Sequence, residues 1–382
     1  MDSGTSDDGY QDQILPHVSR TFALTIPQLP PPLRVAVTNA YLLCRIADTI
    51  EDEPALSPVE TLHYLDRFKA VVAGRASASL LAAEVEKRLS SRTLPAERDL
   101  VAHMERVLDV TASLTPEQRG AIERCLELMC YGMPRFQSSA SVRGLPRETD
   151  LDDYCYYVAG VVGDMLTELF CEYSSAIAQN RSRMQDLAVS FAQGLQMTNI
   201  LKDVWEDRAR GACWLPQEVF TPHRVDLASL APDRPSPGFD AGMSELVALA
   251  HGHLRNALDY TLLIPAGEAG IRRFCLWAIG LAVLTLQKIH KNPGFSAGSQ
   301  VKISRSQVSM TRVFTEIALR NDWMLRRLFA QAARGLPYRA VGAVRRPQPG
   351  HAGIGSFVAD RPDEVGSEEA PPRLRSYGRS AT

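Results

Sequence analysis

The sequence predicts an all-α fold, and three observations lead to this prediction. Apolar residues recur with the 3.6-residue period of an amphipathic helix along most of the chain. The apolar–polar alternation that is typical of a half-buried strand is missing. Prolines and capping residues mark helix boundaries at regular intervals. Since no internal repeat and no linker divides the helical patterns, we expect one helical bundle.

The helices follow one another between clear breaks. Prolines 30–32 precede the first long helical pattern, and Pro54 follows it. Ser57-Pro58-Val59-Glu60 has the serine and glutamate of a capping box, and Thr115-Pro116 marks another start. Pro216 and the segment 232–238 mark the edges of the helical patterns on either side of them. We expect helices at 33–52, 57–74, 78–91, 96–111, 116–135, 149–177, 182–208, 240–262, 267–290 and 303–335.

Length and composition set the domain boundaries. A chain of 382 residues can form one large domain or two ordinary ones. We expect a flexible N-terminus at 1–12, a single domain at 13–340 and a disordered tail at 341–382. In that tail, proline, glycine, arginine and serine replace the apolar pattern.

Charge and cysteine usage limit the classes of function. A net charge of −2 argues against a nucleic-acid-binding protein, whose binding face would be basic. Seven cysteines without paired spacing are typical of free thiols in a reducing compartment. The first ten residues lack the pattern of a signal peptide, and the longest apolar run, Phe274 to Leu286, falls short of the roughly 20 residues of a membrane span. We therefore expect a cytoplasmic protein.

Two acidic triplets with the same spacing are the main functional signal. They are Asp48-Glu51-Asp52 and Asp203-Glu206-Asp207, and each reads D-x-x-E-D. Residues i, i+3 and i+4 share one face of a helix, so each triplet places three carboxylates together. Three carboxylates placed together repel one another. Divalent cations that also carry a diphosphate would compensate this repulsion.

Spacing alone is weak evidence, because a third match at Asp360-Asp363-Glu364 contains Pro362 and lies in the tail. The first two matches lie in apolar helical surroundings. Tyr41 and Arg45 lie on the same helical face before the first triplet, and Gln196 and Asn199 before the second. The alternative is a solvated charged face, which normally mixes lysine with glutamate.

Cationic residues near the triplets are candidates for binding a diphosphate. They are Arg20 in Ser19-Arg20-Thr21-Phe22, together with Arg45 and Lys202. Any one of them, taken alone, is more often a surface side chain with a buried aliphatic stem.

The segment from Asp152 to Asp164 combines tyrosines with two glycines inside a helical pattern. Gly160 and Gly163 each cost about 1 kcal/mol relative to alanine, which indicates close helix packing or space for a ligand. A tyrosine here can stabilise a carbocation or transfer a proton, and a packed aromatic core is the alternative.

Further along, Val301-Lys302-Ile303-Ser304-Arg305 is either a phosphate contact or an ordinary basic helix start. The glycine-rich phosphate loops of Rossmann and P-loop proteins are absent from the sequence.

Taken together, these motifs resemble the squalene/phytoene synthase family of head-to-head prenyltransferases. The resemblance runs from about Ser19 to Arg334, and its motifs occur in the family's order. Within the family, Phe274-Cys275, Thr285-Leu286, Asn292-Pro293 and Val301-Lys302-Ile303 are most similar to the squalene synthase branch. Because the apolar C-terminal anchor of eukaryotic members is missing from this sequence, we expect an enzyme of bacterial type. The resemblance implies an isoprenoid synthase fold, with helices around a central apolar cavity that excludes water from reactive cations.

The implied reaction joins two molecules of farnesyl diphosphate to presqualene diphosphate, which is then reduced by NADPH and rearranged to squalene. Mg²⁺, or Mn²⁺ in its place, would be held by the two acidic triplets. The resemblance implies catalytic roles for Tyr154, Tyr41 and Arg45. It implies diphosphate binding by Ser19, Arg20, Arg45, Gln196, Asn199 and Lys202. It implies NADPH binding by Asn292, Lys302, Ser304 and Arg305. A peripheral contact with the inner face of the membrane would serve product release.

Three departures from the family pattern concern diphosphate and cofactor binding. Lys202 and Ser304 stand where arginine is common, and Ala212 follows Gly211 where an arginine often does. Several alternatives therefore stay open: a dehydrosqualene, hydroxysqualene or phytoene synthase of the same family without hydride transfer, a class I terpene cyclase, or a catalytically silent helical partner. The oligomeric state and the pathway that uses the product stay undetermined by the sequence.

Overall fold

A computed structural model describes residues 7–19, 21–232 and 236–347 of the chain. Within these ranges the regular structure is helical and no strand forms; an isolated bridge pairs Leu145 with Pro216. The prediction of an all-α fold is confirmed.

The N-terminal half contains nine α-helices in the described ranges. They are α1 (Asp7–Val18), α2 (Phe22–Thr25), α3 (Pro31–Glu51), α4 (Pro58–Val72), α5 (Ala78–Glu86), α6 (Pro95–Ala102), α7 (Met104–Ser113), α8 (Pro116–Ser138) and α9 (Glu148–Cys155). Local chemistry explains several of their starts. Ser57 and Glu60 form the expected capping box at the start of α4, and Thr115 caps α8 in the same way with Gln118.

The C-terminal half contains the nine remaining α-helices of the described chain. They are α10 (Val161–Tyr173), α11 (Ser175–Ala178), α12 (Arg181–Lys202), α13 (Val204–Arg208), α14 (Gln217–Phe220), α15 (Pro237–Leu262), α16 (Ala269–Lys291), α17 (Arg305–Ala318) and α18 (Asp322–Ala332). A π-helical turn, Tyr156–Gly160, joins α9 to α10, and a 3₁₀ turn, Gly298–Val301, precedes α17.

Four of the expected helices are interrupted, and the one expected at 96–111 divides at His103 into α6 and α7. The helix expected at 303–335 divides because Asn321 caps a new helix with its side chain, which accepts a hydrogen bond from the Met324 amide. The helix expected at 182–208 breaks at Asp203, and the one expected at 149–177 contains the π-helical turn and ends at Tyr173. The last two breaks lie in the predicted site segments.

One continuous apolar core extends from Tyr10 to Leu336. Helix α12 lies at its centre and packs against α10, α15 and α16, while α3 packs against α1, α4, α7 and α8. Glycines allow the closest approaches: a Cβ on Gly163 would lie 2.4 Å from the Ala188 carbonyl oxygen, and one on Gly194 3.0 Å from Leu254. The two acidic segments thus lie at the ends of helices that are fixed by the core.

The first and last described segments also pack on this core. Helix α1 begins at Asp7, within the segment expected to be flexible, because Tyr10 is buried and Asn39 donates a hydrogen bond of 3.1 Å to the Gln11 side chain. Residues 341–347 lie within the expected disordered tail, and there Arg346 forms a double ion pair with Asp164.

Helix α16 is long and apolar enough to cross a membrane by length and composition, but about 67% of its most apolar window is buried inside the fold. Core helices pass the same test. Its position fits the buried helix that the sequence indicates around Phe274 to Leu286.

Candidate active site

The first acidic triplet occupies the last turn of α3. Asp48 and Glu51 lie on the helix, Asp52 is its C-cap, and the Asp52 amide donates to the Asp48 carbonyl at 2.9 Å. The C-terminal end of a helix carries a partial negative charge, so three carboxylates there are unfavourable unless cations compensate them. The last turn itself contains no basic residue.

The second triplet spans a break between two helices. Asp203 ends α12 with φ −101° and ψ 16°, and α13 then carries Glu206 and Asp207. The Asp207 amide still donates to the Asp203 carbonyl at 2.9 Å, so the helical register survives the break. The neighbouring ammonium group of Lys202 lies 3.2 Å from the Asp203 carboxylate, and both side chains are largely buried.

The two triplets converge on Tyr154. Burial raises the pKa of its phenol well above the ordinary value, and the negative charges of Asp207, Glu51 and Asp52 raise it further. These carboxylates come from both helix ends, so both acidic segments are near enough to Tyr154 to act on its hydroxyl. It keeps its proton at neutral pH and can donate it.

Trp214 fixes the ring of Tyr154, and the sequence prediction missed it. The two rings stack with centroids 4.1 Å apart and an interplanar angle of 7°, and Phe136 packs edge-on against the other side at 5.5 Å. Trp214 follows the left-handed Gly211 (φ 89°), where the chain turns back towards the site. The sequence signal was a large aromatic residue shortly after a glycine, close to the second triplet.

A hydrogen-bonded chain leads to the first triplet from the N-terminal segment. The Tyr41 hydroxyl donates to the Val18 carbonyl at 3.0 Å and accepts from the Arg45 guanidinium at 3.1 Å. The same guanidinium lies 3.6 Å from Asp48. Next to Val18, the buried Ser19 side chain accepts a hydrogen bond from the Phe22 amide at 3.0 Å, whereas Arg20 lies outside the described residues.

Glu97 is a second residue that the sequence prediction missed. Arg45 is almost fully buried; burial alone lowers its pKa, but Tyr41, Asp48 and Glu97 together raise it above the ordinary value. Glu97 is itself buried and comes from α6, more than 50 positions away in sequence. The guanidinium is therefore held as a permanent cation between two carboxylates.

Gln196 and Asn199 lie on α12 before the second triplet, as expected from their spacing. Gln196 is buried and Asn199 is half-buried. The Asn199 carbonyl accepts a hydrogen bond from the Asp203 amide, so the helical hydrogen bonds of α12 continue up to the break at Asp203.

The segment predicted to bind the cofactor docks on the second triplet. The Trp205 indole donates to the Phe295 carbonyl at 2.7 Å, and the Gly298 amide donates to Glu206 at 2.8 Å. A Cβ on Gly298 would lie 2.9 to 3.1 Å from the Lys202 carbonyl, Asp203 and Glu206, so glycine is needed for this close approach.

The four predicted cofactor residues have different surroundings. Ser304 caps α17 through a capping box with Gln307, which gives its hydroxyl a structural role. Asn292 is the exposed C-cap of α16, and Arg305 is exposed in the first turn of α17. Lys302 is half-buried and follows the fully buried Val301, so its backbone position is fixed by the core.

The donor set fits a hard divalent cation such as Mg²⁺. Six carboxylates lie at the two helix ends, and the Glu206 Oε2 atom is buried without a hydrogen-bond partner. Across the described ranges, no group of three or more His, Cys, Asp or Glu side chains is arranged to hold a metal ion alone. Mg²⁺ is usually bound by one or two carboxylates together with water and substrate phosphates, so the triplets would need the diphosphate to complete such a site.

Both interior glycines of the tyrosine segment serve close packing. A Cβ on Gly160 would lie 2.8 Å from the Tyr156 ring and 3.1 Å from Val189, and Gly163 contacts α12 as described above. The tyrosines differ: Tyr156 and Tyr157 are buried in the core, while Tyr154 lies at the carboxylates. The π-helical turn directly after Tyr154 and Cys155 is a feature often found at functional sites.

Comparison with known proteins identifies the family. The sequence profile described as squalene/phytoene synthase matches residues 15–307. The chain belongs to this family. It is 32% identical over 285 residues to a squalene synthase of Eremothecium gossypii, covering 73% of this chain and 62% of that protein. It is 30% identical over 284 residues to the squalene synthase of Saccharomyces cerevisiae, covering 73% and 61%.

Solved structures show the same fold. A complex of TcSQS with the ligand BPH1237 matches with a TM-score of 0.71 at 23% identity, over 92% of this chain and 96% of that one. A dehydrosqualene synthase matches with a TM-score of 0.59 at 21% identity, over 82% and 96%. The predicted isoprenoid synthase fold is confirmed, whereas the chain spans only about 62% of the length of its first curated relative.

Proposed function

We propose that the protein is a squalene synthase that joins two molecules of farnesyl diphosphate and then reduces the product with NADPH. The observation that carries this proposal is the buried Tyr154, stacked on Trp214, whose pKa is raised by burial and by carboxylates of both acidic segments. A protonated phenol between two cation sites is suited to a reaction in which diphosphate leaves and a proton is transferred close by. Membership of the family and the names of the curated relatives support the same activity.

In the proposed first step, the carboxylates of both triplets would hold Mg²⁺, which would supply the positive charge that stabilises the departing diphosphate. Arg45 lies beside the first triplet and Lys202 beside the second, so each can donate a charge-assisted hydrogen bond to a phosphate oxygen. Tyr41 orients Arg45, and Ser19, Gln196 and Asn199 complete the predicted diphosphate contacts. Arg20 is assigned to diphosphate binding on the basis of the sequence motif alone.

The first step releases diphosphate and one proton, which leaves the carbon atom that closes the cyclopropane ring. Tyr154 can pass this proton on, because its hydroxyl can donate its own proton to the diphosphate and accept the one released. Since burial and nearby carboxylates raise the pKa of the phenol, it does not ionise spontaneously near neutral pH. Departing diphosphate beside it is a strong hydrogen-bond acceptor, and the phenol can donate to it. The stack with Trp214 prevents the ring from turning away from the carboxylates.

In the proposed second step, NADPH held by residues of this chain would supply the hydride for the reduction. Lys302 and Arg305 are the cations that we assign to its phosphates, and Asn292 lies at the start of the same segment. This segment contacts Glu206 through the Gly298 amide, which supports a cofactor site close to the second triplet. Ser304 is assigned to the cofactor by motif position, beside its capping role.

A second candidate is the same condensation without hydride transfer. The observation that favours it is that Ser304 is used as a helix cap and Ala212 is fully buried, so neither offers a cation where the family often has arginine. Such an enzyme would form dehydrosqualene, hydroxysqualene or, from a longer diphosphate, phytoene. The proposed site of action is the cytoplasm, with peripheral membrane contact.

Product analysis distinguishes these candidates. The full chain is incubated with farnesyl or geranylgeranyl diphosphate and Mg²⁺, with and without NADPH, and the extracted products are identified by mass spectrometry. Squalene with NADPH and presqualene diphosphate without it support the proposal. Saturating NADPH that yields only presqualene diphosphate or a hydroxylated product contradicts the reductive step. Phytoene from the longer substrate contradicts the substrate assignment.

A further inference from the structure

The last described residues, 337–347, lie on the bundle without forming a helix, and we call them the C-terminal strap. Backbone and side-chain hydrogen bonds fix the strap on α15. The Arg339 amide donates to the Ala248 carbonyl at 3.1 Å, and the Asn256 side chain donates to the Val341 carbonyl at 3.3 Å. The course of the strap is therefore set by contacts with one of the central helices.

Gly252 makes room for the strap on α15. A Cβ at this position would lie 2.1 Å from the Arg339 carbonyl oxygen and 2.9 Å from the Val341 side chain. Atoms do not approach this closely without a shift of the backbone. The strap can follow its path only because α15 has a glycine beneath it.

Two successive arginines of the strap, Arg345 and Arg346, reach acidic residues on either side of the π-helical turn. Asp153 lies three residues before this turn, and Asp164 lies four residues after it. Arg345 lies 3.7 Å from the Asp153 carboxylate. Arg346 donates to both carboxylate oxygens of Asp164, at 3.1 and 2.8 Å. The strap thus contacts the segment that carries Tyr154 on both sides of its irregular turn.

Asp153 is the more deeply buried of the two acids. It is 4% exposed, and among the described residues its Oδ1 atom has no hydrogen-bond partner. Burial raises the pKa of its carboxyl group, and the positive charge of Arg345 is the main influence that opposes this shift. Since a buried carboxylate without a cation nearby is costly, Arg345 compensates a charge directly before Tyr154 in the chain.

Arg346 connects the far side of the turn to the neighbouring helix. Its side chain lines a cavity of about 390 Å³ between α8, α10 and α12. Besides its double ion pair with Asp164 on α10, the guanidinium donates to the Gln185 carbonyl on α12. The start of α10 is therefore held against α12 through a residue of the strap.

We propose that Arg345 and Arg346 are positioning residues, which stabilise the π-helical turn from both sides and so keep Tyr154 stacked on Trp214. A π-helical turn contains about one residue more than an α-helical turn, so its conversion to α-helix would rotate the residues before it by roughly 100° about the helix axis. Tyr154 lies before the turn and would lose its stacking partner. The positioning role rests on the proposed function, whereas the stabilisation of the turn does not.

Amide hydrogen exchange of the full chain without substrate tests the stabilisation directly. In Arg345→Gln/Arg346→Gln, the amides of residues 154–164 are expected to exchange about tenfold faster than in wild type, the effect of one lost hydrogen bond to a charged group. The matched control is Arg273→Gln/Arg326→Gln, which removes two ion pairs elsewhere on the surface and should leave this exchange unchanged. Unchanged exchange in the first variant, or equal acceleration in both, overturns the proposal.

A second variant displaces the strap while both arginines stay in place. Gly252→Ala should accelerate exchange at 154–164 as well, because its Cβ pushes the strap away from α15. Gly267→Ala is the control, since a Cβ there meets nothing within 4 Å. The strap is not the cause if Gly252→Ala and Gly267→Ala both exchange like wild type.

Single-turnover formation of presqualene diphosphate tests the positioning role. In Arg345→Gln/Arg346→Gln the rate is expected to fall about tenfold or more at unchanged affinity for farnesyl diphosphate. Arg345→Lys/Arg346→Lys should restore most of the rate, because it keeps both charges. A weaker affinity at an unchanged rate, or an equal loss in the lysine variant, overturns the positioning role. If wild type forms no presqualene diphosphate although the exchange results hold, the proposed function fails and the stabilisation of the turn stands.

Discussion

Gly298 provides a sharp test of the proposed link between the cofactor segment and the second acidic triplet. Its φ is not positive, so alanine can adopt the backbone conformation, and only the space around the Cβ decides the outcome. That Cβ would lie 2.9 Å from the Lys202 carbonyl oxygen, 3.0 Å from Asp203 Oδ1 and 3.1 Å from Glu206 Oε1. Gly298→Ala therefore pushes the segment away from the carboxylates.

The expected cost follows from the contact that is lost. The Gly298 amide donates to the Glu206 carboxylate at 2.8 Å, and a hydrogen bond to a charged group contributes about 1.5–3 kcal/mol. If Glu206 holds a cation in the reaction, its displacement should lower the apparent affinity for Mg²⁺ by about 10- to 150-fold. The assay is formation of presqualene diphosphate in a single turnover without NADPH, as a function of Mg²⁺ concentration.

Gly294→Ala is the matched control in the same segment. A Cβ there meets nothing within 4 Å, so Mg²⁺ dependence should equal that of wild type. Thermal unfolding of both variants checks that the fold is retained. The reasoning is refuted if Gly298→Ala shows the Mg²⁺ dependence of wild type, or if both variants lose affinity alike.

Three further predictions concern the site, and two concern stability. Asp207→Ala should lower turnover by about 10³-fold with an unchanged helical circular dichroism spectrum. Tyr154→Phe should slow presqualene diphosphate formation by about 10²-fold or more at unchanged substrate affinity; an unchanged single-turnover rate would leave the ring a packing role. Lys302→Ala should raise the KM for NADPH about 10-fold. Ser304→Ala should lower the free energy of unfolding by about 1 kcal/mol, because it removes the cap of α17, and urea unfolding measures this loss. If capping is the only role of Ser304, the KM for NADPH should be unchanged in Ser304→Ala. His253 has a pKa lowered to about 4 by burial and by Arg339, against an ordinary 6.5. The unfolded state therefore binds its proton first, and stability falls by up to about 3 kcal/mol as the pH drops from 6.5 to 4. Urea unfolding of His253→Gln should show less of this loss.

The long helices could be predicted from the sequence because their causes are local. The apolar period, the prolines and the capping box at Ser57 all act within a few residues, and the structure places helices accordingly. Helix α1 was overlooked because its sequence is polar and contains Pro16. It is held by distant partners: the Tyr10 hydroxyl bonds to Asp99, and Asn39 bonds to Gln11.

The same distinction applies to the candidate site. Spacing on one helix was enough to group Tyr41, Arg45 and Asp48, and the structure joins them in one chain of contacts. Glu97 and Trp214 could not be found in this way, because they reach the site from other parts of the chain. A contact that depends on tertiary packing leaves no periodic signal in sequence.

Departures from ordinary helix chemistry cluster where the proposed reaction takes place. Helix α3 ends in carboxylates, although the helix dipole favours cations there. Helix α12 breaks at Asp203, in the middle of a motif whose register it nevertheless preserves. The chain adopts a π-helical turn directly after Tyr154 and Cys155. Each feature is unfavourable or rare by itself, and a foldable sequence keeps such features where function requires them. Cations and a diphosphate would compensate the carboxylates at the end of α3. Adding Mg²⁺ with an unreactive diphosphate should therefore stabilise the protein against unfolding, and this gain in stability should vanish in Asp207→Ala.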